Sequence, residues 1–142
     1  LVFNETIVAA MSFGKPRYNK NYEYELLRYA TKRETAITGG AGKLLSAFVK
    51  NYNPKSLISY ADRRLSNGHL YNSLGFSFLQ NSSPGYYYYK SKDLESRHKY
   101  QKHRLKYLLD NFDETKTEYE NMLDNGFVRI WDCGNSVWGK TW

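Results

Sequence analysis

Three groups of residues in this chain have types and spacings suited to chemistry. The first is Thr38-Gly39-Gly40-Ala41-Gly42-Lys43, in which small residues follow one another without interruption. Small residues let backbone N–H groups approach an anion, and a helix starting there turns its positive dipole end toward it. A tight turn with no ligand fits the same residues. The second group is acidic. Glu23 and Glu25 flank Tyr24 on an extended segment, so both carboxylates point the same way. Asp62 closes the apolar run Leu57-Ile58-Ser59-Tyr60-Ala61. Ligands of open α/β sheets gather at the C-terminal ends of strands, where an Asp could orient an amino group or accept a proton. Capping the next helix is its plainer role. The third group is cationic. Lys15, Arg17 and Lys20 share a loop with two tyrosines and no acid, and Arg63 and Arg64 follow Asp62. From Lys90 to Lys106, seven Lys or Arg stand against two acids. Cations neutralise phosphates and tyrosine rings stack on exposed bases, so these segments point to nucleic acid; solvated surface is the alternative.

The elements that must position these residues follow from periodicity. Tyr24 to Ala30 is rich in apolar and aromatic residues and reads as a strand. Leu44, Leu45, Phe48 and Val49 recur at helical spacing up to Tyr52, Pro54 stops the helix, and Leu57 to Ala61 begins a second strand. The result is a βαβ unit with an anion-compatible turn at its helix N-terminus. The turn lacks the spacing of a P-loop and of a dinucleotide fingerprint. Upstream, Leu1–Phe3 and Ile7–Phe13 read as a hairpin about Asn4-Glu5. Downstream come a helix from about Asn67, a strand Gly75–Leu79, and a Tyr86–Tyr89 strand with two rings inward and two outward. Leu94, Gln101, Leu105, Leu108 and Phe112 outline a stripe that predicts a helix carrying Arg97, Lys99, Lys102, Arg104 and Lys106. Thr115–Asp124 reads as a short acidic helix and Phe127–Trp131 as a last strand.

Composition bounds the function. The 142 residues fit one domain, and a formal charge of +7 favours a polyanionic partner, with anionic membrane as the rival. The single cysteine, Cys133, excludes an internal disulfide and a C-x-x-C zinc cage, and His69, His98 and His103 lack zincin spacing, so no metal is expected. No run approaches the ~20 apolar residues of a membrane span, and no signal peptide is recognisable, which implies a cytoplasmic protein. Oligomeric state is left open.

Gly39-x-Ala41-x-x-Leu44-Leu45, followed by Asn67 and Leu70-Tyr71-Asn72-Ser73-Leu74-Gly75-Phe76, resembles the pattern of the GNAT (Gcn5-related) acyltransferases. The resemblance covers about fifty residues, from Glu25 to Phe78. It implies that residues 38–43 hold the pyrophosphate of acetyl-CoA or a related acyl-CoA. It also implies that Tyr71 is the general acid to the departing thiolate and that a carboxylate such as Glu25 takes the amine proton. Ala36 departs from the family, which usually has Arg or Gln there. Ser59-Tyr60-Ala61-Asp62-Arg63-Arg64, with Asn67-Gly68 and Tyr71, is similar to the Mom-like DNA-modification proteins of phages, and this places Asp62 at the site. A longer string, from Phe13-Gly14-Lys15-Pro16-Arg17 to Ile130-Trp131-Asp132-Cys133-Gly134-Asn135, resembles a domain of phage homing-endonuclease-like (Hef-like) proteins.

The expectation is therefore an α/β (α+β) chain with a GNAT-like central mixed sheet, helices on both faces, and a basic helical extension over residues 90–142. The family carries a strand and two helices ahead of the point where Leu1 falls, so 1–142 is expected to be part of a longer protein. Its partner is DNA. Two functions are implied: Mom-like transfer of an acyl-derived group from a CoA-type donor to a nucleobase amine, or a non-catalytic DNA-binding domain of a homing-endonuclease-like protein.

Overall fold

In the computed structural model, which describes residues 1–142, the chain opens with β1 (Val2–Phe3) and β2 (Thr6–Ile7). There follow β3 (Ala9–Gly14), β4 (Tyr24–Thr31), α1 (Gly40–Tyr52), β5 (Ser56–Asp62), α2 (His69–Ser73) and β6 (Ser77–Asn81). Next come β7 (Tyr86–Lys90), β8 (Asp93–Ser96), a 3-10 turn at Arg97–Tyr100, α3 (Lys102–Leu108), α4 (Glu118–Asp124), β9 (Val128–Trp131) and β10 (Asn135–Thr141). The fold is α+β and divides into two units. The first comprises 1–82 and 135–142, and the second 83–134.

The first unit is a mixed sheet in the order β3-β4-β5-β10-β6, in which only β4 and β5 run parallel. A parallel pair needs a crossover, and α1 supplies it. The helix forms because Ala41, Leu45 and Phe48 recur on one buried stripe. It ends where Asn53 turns left-handed and donates its N–H to the Val49 carbonyl, just before Pro54. The buried stripe packs on Leu26, Leu57, Ala61, Phe76 and Trp138, with Phe13 stacked on Phe48. Tyr71 and Leu74 join the same cluster. Both helices of this unit thus serve one face of the sheet, where helices on two faces were expected.

The second unit is a β8-β7-β9 antiparallel sheet backed by Tyr88, Tyr100, Leu105 and Met122. Tyr87 and Tyr89 are exposed, Tyr88 is buried and Tyr86 half-buried, in the alternation expected of the tyrosine run. The expected helix over 90–106 is not formed as one element. Ser91 and Lys92 take left-handed backbone angles and turn the chain back, so 93–96 pairs with the tyrosines before the 3-10 turn and α3 begin. The strand partner that Tyr86–Lys90 requires outweighs the helical spacing of Leu94, Gln101 and Leu105. The acidic helix is confirmed and starts with a reciprocal Thr117–Glu120 capping box.

Two further corrections concern the chain ends. The N-terminal hairpin turns at Asn4 and Glu5 as expected, but it stops at Ile7, and β3 pairs with β4 instead. The strand expected over 127–131 forms as β9 but is not the last. Residues 135–141 return to the main sheet as β10, paired on both sides, so the segment 90–142 is not one extension.

Gly68 fixes how α2 meets this sheet. Its φ is +83°, and a Cβ there would lie 2.2 Å from Cζ2 of Trp138. Left-handed strain and overlap with a buried ring each cost on the order of 1–3 kcal/mol. Gly68→Ala should therefore lower unfolding free energy by about 3 kcal/mol, measured as a lower urea midpoint at unchanged m-value.

Candidate functional site

The parallel pair β4–β5 is joined at one end only. Tyr24 pairs with Leu57 and Glu25 with Ile58, and no register continues beyond them. Opposite β3, the register steps from Phe13–Leu26 to Ser12–Arg28, so Leu27 is an extra residue on β4. Such a bulge bends its strand, and bulges are common beside active sites. Ladder pairing between the two parallel strands therefore covers only their first rungs, and α1 begins beyond the end of β4.

The glycine run sits at that helix start. Gly39 has φ +70° and precedes the helix without a side-chain cap. Gly40 is there for packing: a Cβ would lie 2.7 Å from Ile37 Cγ2 and 3.3 Å from the Tyr29 hydroxyl. Around Gly39 and Gly42 nothing would meet a Cβ within 4 Å. Thr38 and Lys43 are exposed, as is Ala36. The turn is thus closed on its protein side and open outward over Gly39 and Gly42, which fits an anionic group lying on it.

Tyr71 approaches the end of this pairing from α2. It stacks on Trp138 with ring centroids 5.4 Å apart and meets Phe76 edge-on. Its hydroxyl lies 3.1 Å from Ser59 Oγ, which in turn donates to the Leu26 carbonyl at 2.8 Å. Ser59 is the residue after the last β4–β5 pair, and its side chain replaces the missing backbone partner. A serine has one proton for these two acceptors. When it donates to Leu26, the phenol donates to Ser59; when it turns to the phenol, the phenol's own proton is free to leave. Sequence reading gave Ser59 no role of its own, although it opens the Ser59-Tyr60-Ala61-Asp62 stretch that resembles the Mom-like proteins.

The two expected carboxylates are both fastened to arginines. Glu25 is buried, with Arg17 Nη2 at 2.6 Å and Nε at 2.9 Å from Oε1, and the Arg17 backbone N–H at 2.8 Å from Oε2. Three donors on two oxygens make it a fastener of the 14–23 loop. Its neighbour Glu23 accepts from the Lys55 N–H. Asp62 accepts from Arg64 Nη2 at 2.6 Å and from the Arg64 backbone N–H at 2.9 Å. These bonds hold its carboxyl down at about 2, so it stays ionised and is a weak base at neutral pH. No group of three or more His, Cys, Asp or Glu is placed to share a metal ion.

The expected nucleic-acid cations fall in both units. Lys15, Arg17, Lys20, Arg63 and Arg64 belong to the first, where the Lys20 ammonium donates to the Pro16 carbonyl. Arg97, Lys99, Lys102, Arg104 and Lys106 belong to the second. There Arg97 lies over Tyr86, Lys99 pairs with Glu95, and Lys106 lies over Tyr107.

The Asp62–Arg64 pair makes a pH prediction. A carboxyl depressed in the folded state from an ordinary value near ~3.9 stabilises the fold above that value, and the contribution is lost as pH falls through about 2. Arg64→Ala should move the Asp62 midpoint up toward ~3.9 and remove that acid-range dependence. NMR of the Asp62 carboxyl carbon reads it directly, and a midpoint unmoved by the change would exclude Arg64 as the cause.

No protein-family model matches this chain, and no curated protein matches it in sequence.

Proposed function

We propose that this chain is a GNAT-like transferase of the Mom-like, DNA-acting type, moving an acyl-derived group from a CoA-type donor to a nucleobase amine. The observation that carries the reading is the early end of the β4–β5 pairing, with an uncapped glycine turn and helix start beyond β4 and the Tyr71 phenol on Ser59 of β5. A donor of this class supplies a thioester, already activated for attack. The backbone N–H groups of Gly39, Ala41 and Gly42 would hold its pyrophosphate, since those of Gly40 and Lys43 donate to the Ile37 and Gly39 carbonyls, with the Thr38 and Lys43 side chains at the rim. In the transfer, the amine nitrogen bonds to the acyl carbon, the carbon–sulfur bond breaks, the nitrogen gives up one proton and the sulfur takes one. Tyr71, positioned by Ser59, is the group placed to supply the sulfur's proton. Asp62, fixed as a carboxylate, suits orienting an amino group better than taking a proton from it.

The nature of the acceptor follows from the same fastened carboxylates. A lysine acceptor arrives as ammonium and needs a base to strip a proton before attack. The exocyclic amine of a nucleobase is neutral at physiological pH and has no such first step. Cytoplasmic DNA, a phage genome in its host included, is the setting this implies.

A second reading is favoured by one observation: Ala36, together with both carboxylates tied to arginine, leaves a site with few groups to do chemistry. The domain would then bind DNA without modifying it.

Gly42 separates the two. A side chain there meets nothing in the protein, so Gly42→Leu should raise stability by up to about 1 kcal/mol through helix propensity. It should at the same time block a pyrophosphate lying on the turn. Calorimetry with acetyl-CoA and desulfo-CoA is expected to show micromolar binding to the native protein and at least a tenfold loss in Gly42→Leu. No binding of either ligand to the folded native protein would leave the DNA-binding reading. Tyr71→Phe should keep donor affinity while slowing transfer by about 10²–10⁴, measured by mass spectrometry of nucleosides from treated DNA.

A further inference from the structure

The excess positive charge of this chain is confined to one unit. Of its 21 Lys and Arg, twelve lie in the first unit, against five of its 14 Asp and Glu; the second unit holds nine of each. The +7 therefore belongs to the first unit, and the second is formally neutral. Its basic stretch 90–106 is answered within the same unit by acids such as Glu118, Glu120 and Asp124. Two of the five acids in the first unit, Glu25 and Asp62, are closely paired to arginines as well.

Within the first unit, the bulge in β4 decides where Arg28 points. Met11 and Phe13, paired with Tyr29 and Leu26, pack against the cluster under α1. Ser12 and Arg28 lie between those two rows and so face the other side of the sheet. In the next row Ala10 pairs with Ala30, and all four of these residues are exposed. Three small neighbours leave the arginine standing clear of the sheet. Glu25 shares this face of β4, since it alternates with Tyr24 and Leu26, which pack toward α1. It is buried under Arg17 and offers no negative charge outward. The loop that Arg17 fastens brings Lys15, Lys20 and the exposed Tyr18 ring, which stands edge-on to Tyr60.

We infer that this face, with Arg28 at its centre and the 15–20 loop at its border, takes the phosphates of DNA, and that the second unit does not. The inference rests on the reading that DNA is the partner and says which surface meets it. A face paved with alanine and serine lets a phosphate ridge approach closely. Leu27 is the large apolar side chain exposed beside Arg28, where it reaches over Gly14, so the choice between DNA and an anionic membrane rests on the vesicle comparison below. Arg28 has no part in the donor site proposed above, so the two can be changed separately.

The test is fluorescence anisotropy of a short fluorescein-labelled DNA duplex over a series of salt concentrations. For the native protein, log K should fall linearly with log salt, by about 0.9 for each phosphate neutralised. Arg28→Ala and Lys15→Ala should each lower that slope by about one contact and weaken binding several-fold, with Arg28→Gln behaving like Arg28→Ala. Lys102→Ala and Arg104→Ala should leave both affinity and slope unchanged. If the native protein binds and only the Lys102 and Arg104 variants are impaired, the assignment of the surface is overturned while DNA binding stands. No binding by the folded native protein at any salt would overturn the DNA reading and the surface with it. Tighter, Arg28-dependent binding to phosphatidylserine vesicles than to the duplex would overturn the choice of partner.

Discussion

The first unit is organised by a pairing that stops. Two parallel strands that begin as neighbours at Tyr24–Leu57 and Glu25–Ile58 separate after two residues, yet neither is left as a loose edge. β4 remains paired to β3 along its length, and β5 is paired to β10 over seven residues. Each of these pairings serves only alternate residues of its strand, so past Glu25 and Ile58 the facing sides of β4 and β5 carry backbone groups with no ladder partner. The Leu26 carbonyl is one of them, and Ser59 covers it with a side chain where a backbone N–H would otherwise sit. The extra residue at Leu27 both bends β4 and reverses which side chains face α1 beyond it. One local irregularity thus has two consequences: a bend in β4 where its pairing to β5 ends, and an outward Arg28.

The second unit enters and leaves this sheet at adjacent points. β6 and β10 are antiparallel neighbours, and the shortest link between them would be a hairpin. In place of a turn stand 52 residues with a core of their own around Tyr88, Leu105 and Met122. The ends are held on the first unit's side by Ser82, whose N–H donates to the Asn135 carbonyl and whose hydroxyl accepts from the Asn135 N–H. On the second unit's side, Asp132 accepts from the N–H groups of Gly85 and Gly134. Ends fixed this close make the entropic cost of the long link grow only slowly with its length. The inner tyrosines are used structurally. Tyr86 and Tyr88 both donate to Glu118, Arg129 lies over Tyr86 and Tyr119, and burial pushes the Tyr88 hydroxyl above its ordinary range.

The βαβ unit was legible because three local signals agree: an apolar strand, helical spacing after a glycine run, and Pro54 after the helix. β10 was not. Asn135, Ser136, Gly139 and Lys140 carry little strand preference, and the segment is a strand because it has a partner on each side. Gly139 shows the same dependence on context, since a Cβ there would lie 2.6 Å from the Tyr22 hydroxyl. In 90–106 local spacing misled, because Leu94, Gln101 and Leu105 fit a helix while Ser91 and Lys92 adopt a reversal that neither residue type announces. At the site, Tyr71 and the glycine turn could be found from a pattern of residue types. The contacts of Ser59 with Tyr71 and Leu26, and the pairing of Glu25 with Arg17, could not, since they depend on where a separate segment comes to lie.

That last difference changes the chemistry. Read from sequence, the site holds two carboxylates ready to move protons; in the fold each is spent on an arginine, one to pin a loop and one to close a turn. What stands where the β4–β5 pairing ends is a pair of hydroxyls in series with a backbone carbonyl, Tyr71 to Ser59 to Leu26. Neutral hydroxyls can pass a proton without placing a charge among buried groups, where an unpaired carboxylate would be costly. They suit a leaving group that needs a proton far better than an acceptor that must lose one first. A neutral nucleobase amine asks for the former and not the latter. Under the proposed transfer, carboxylates held by arginine therefore favour such an acceptor over an ammonium one, in the direction that the charge of the first unit already favours.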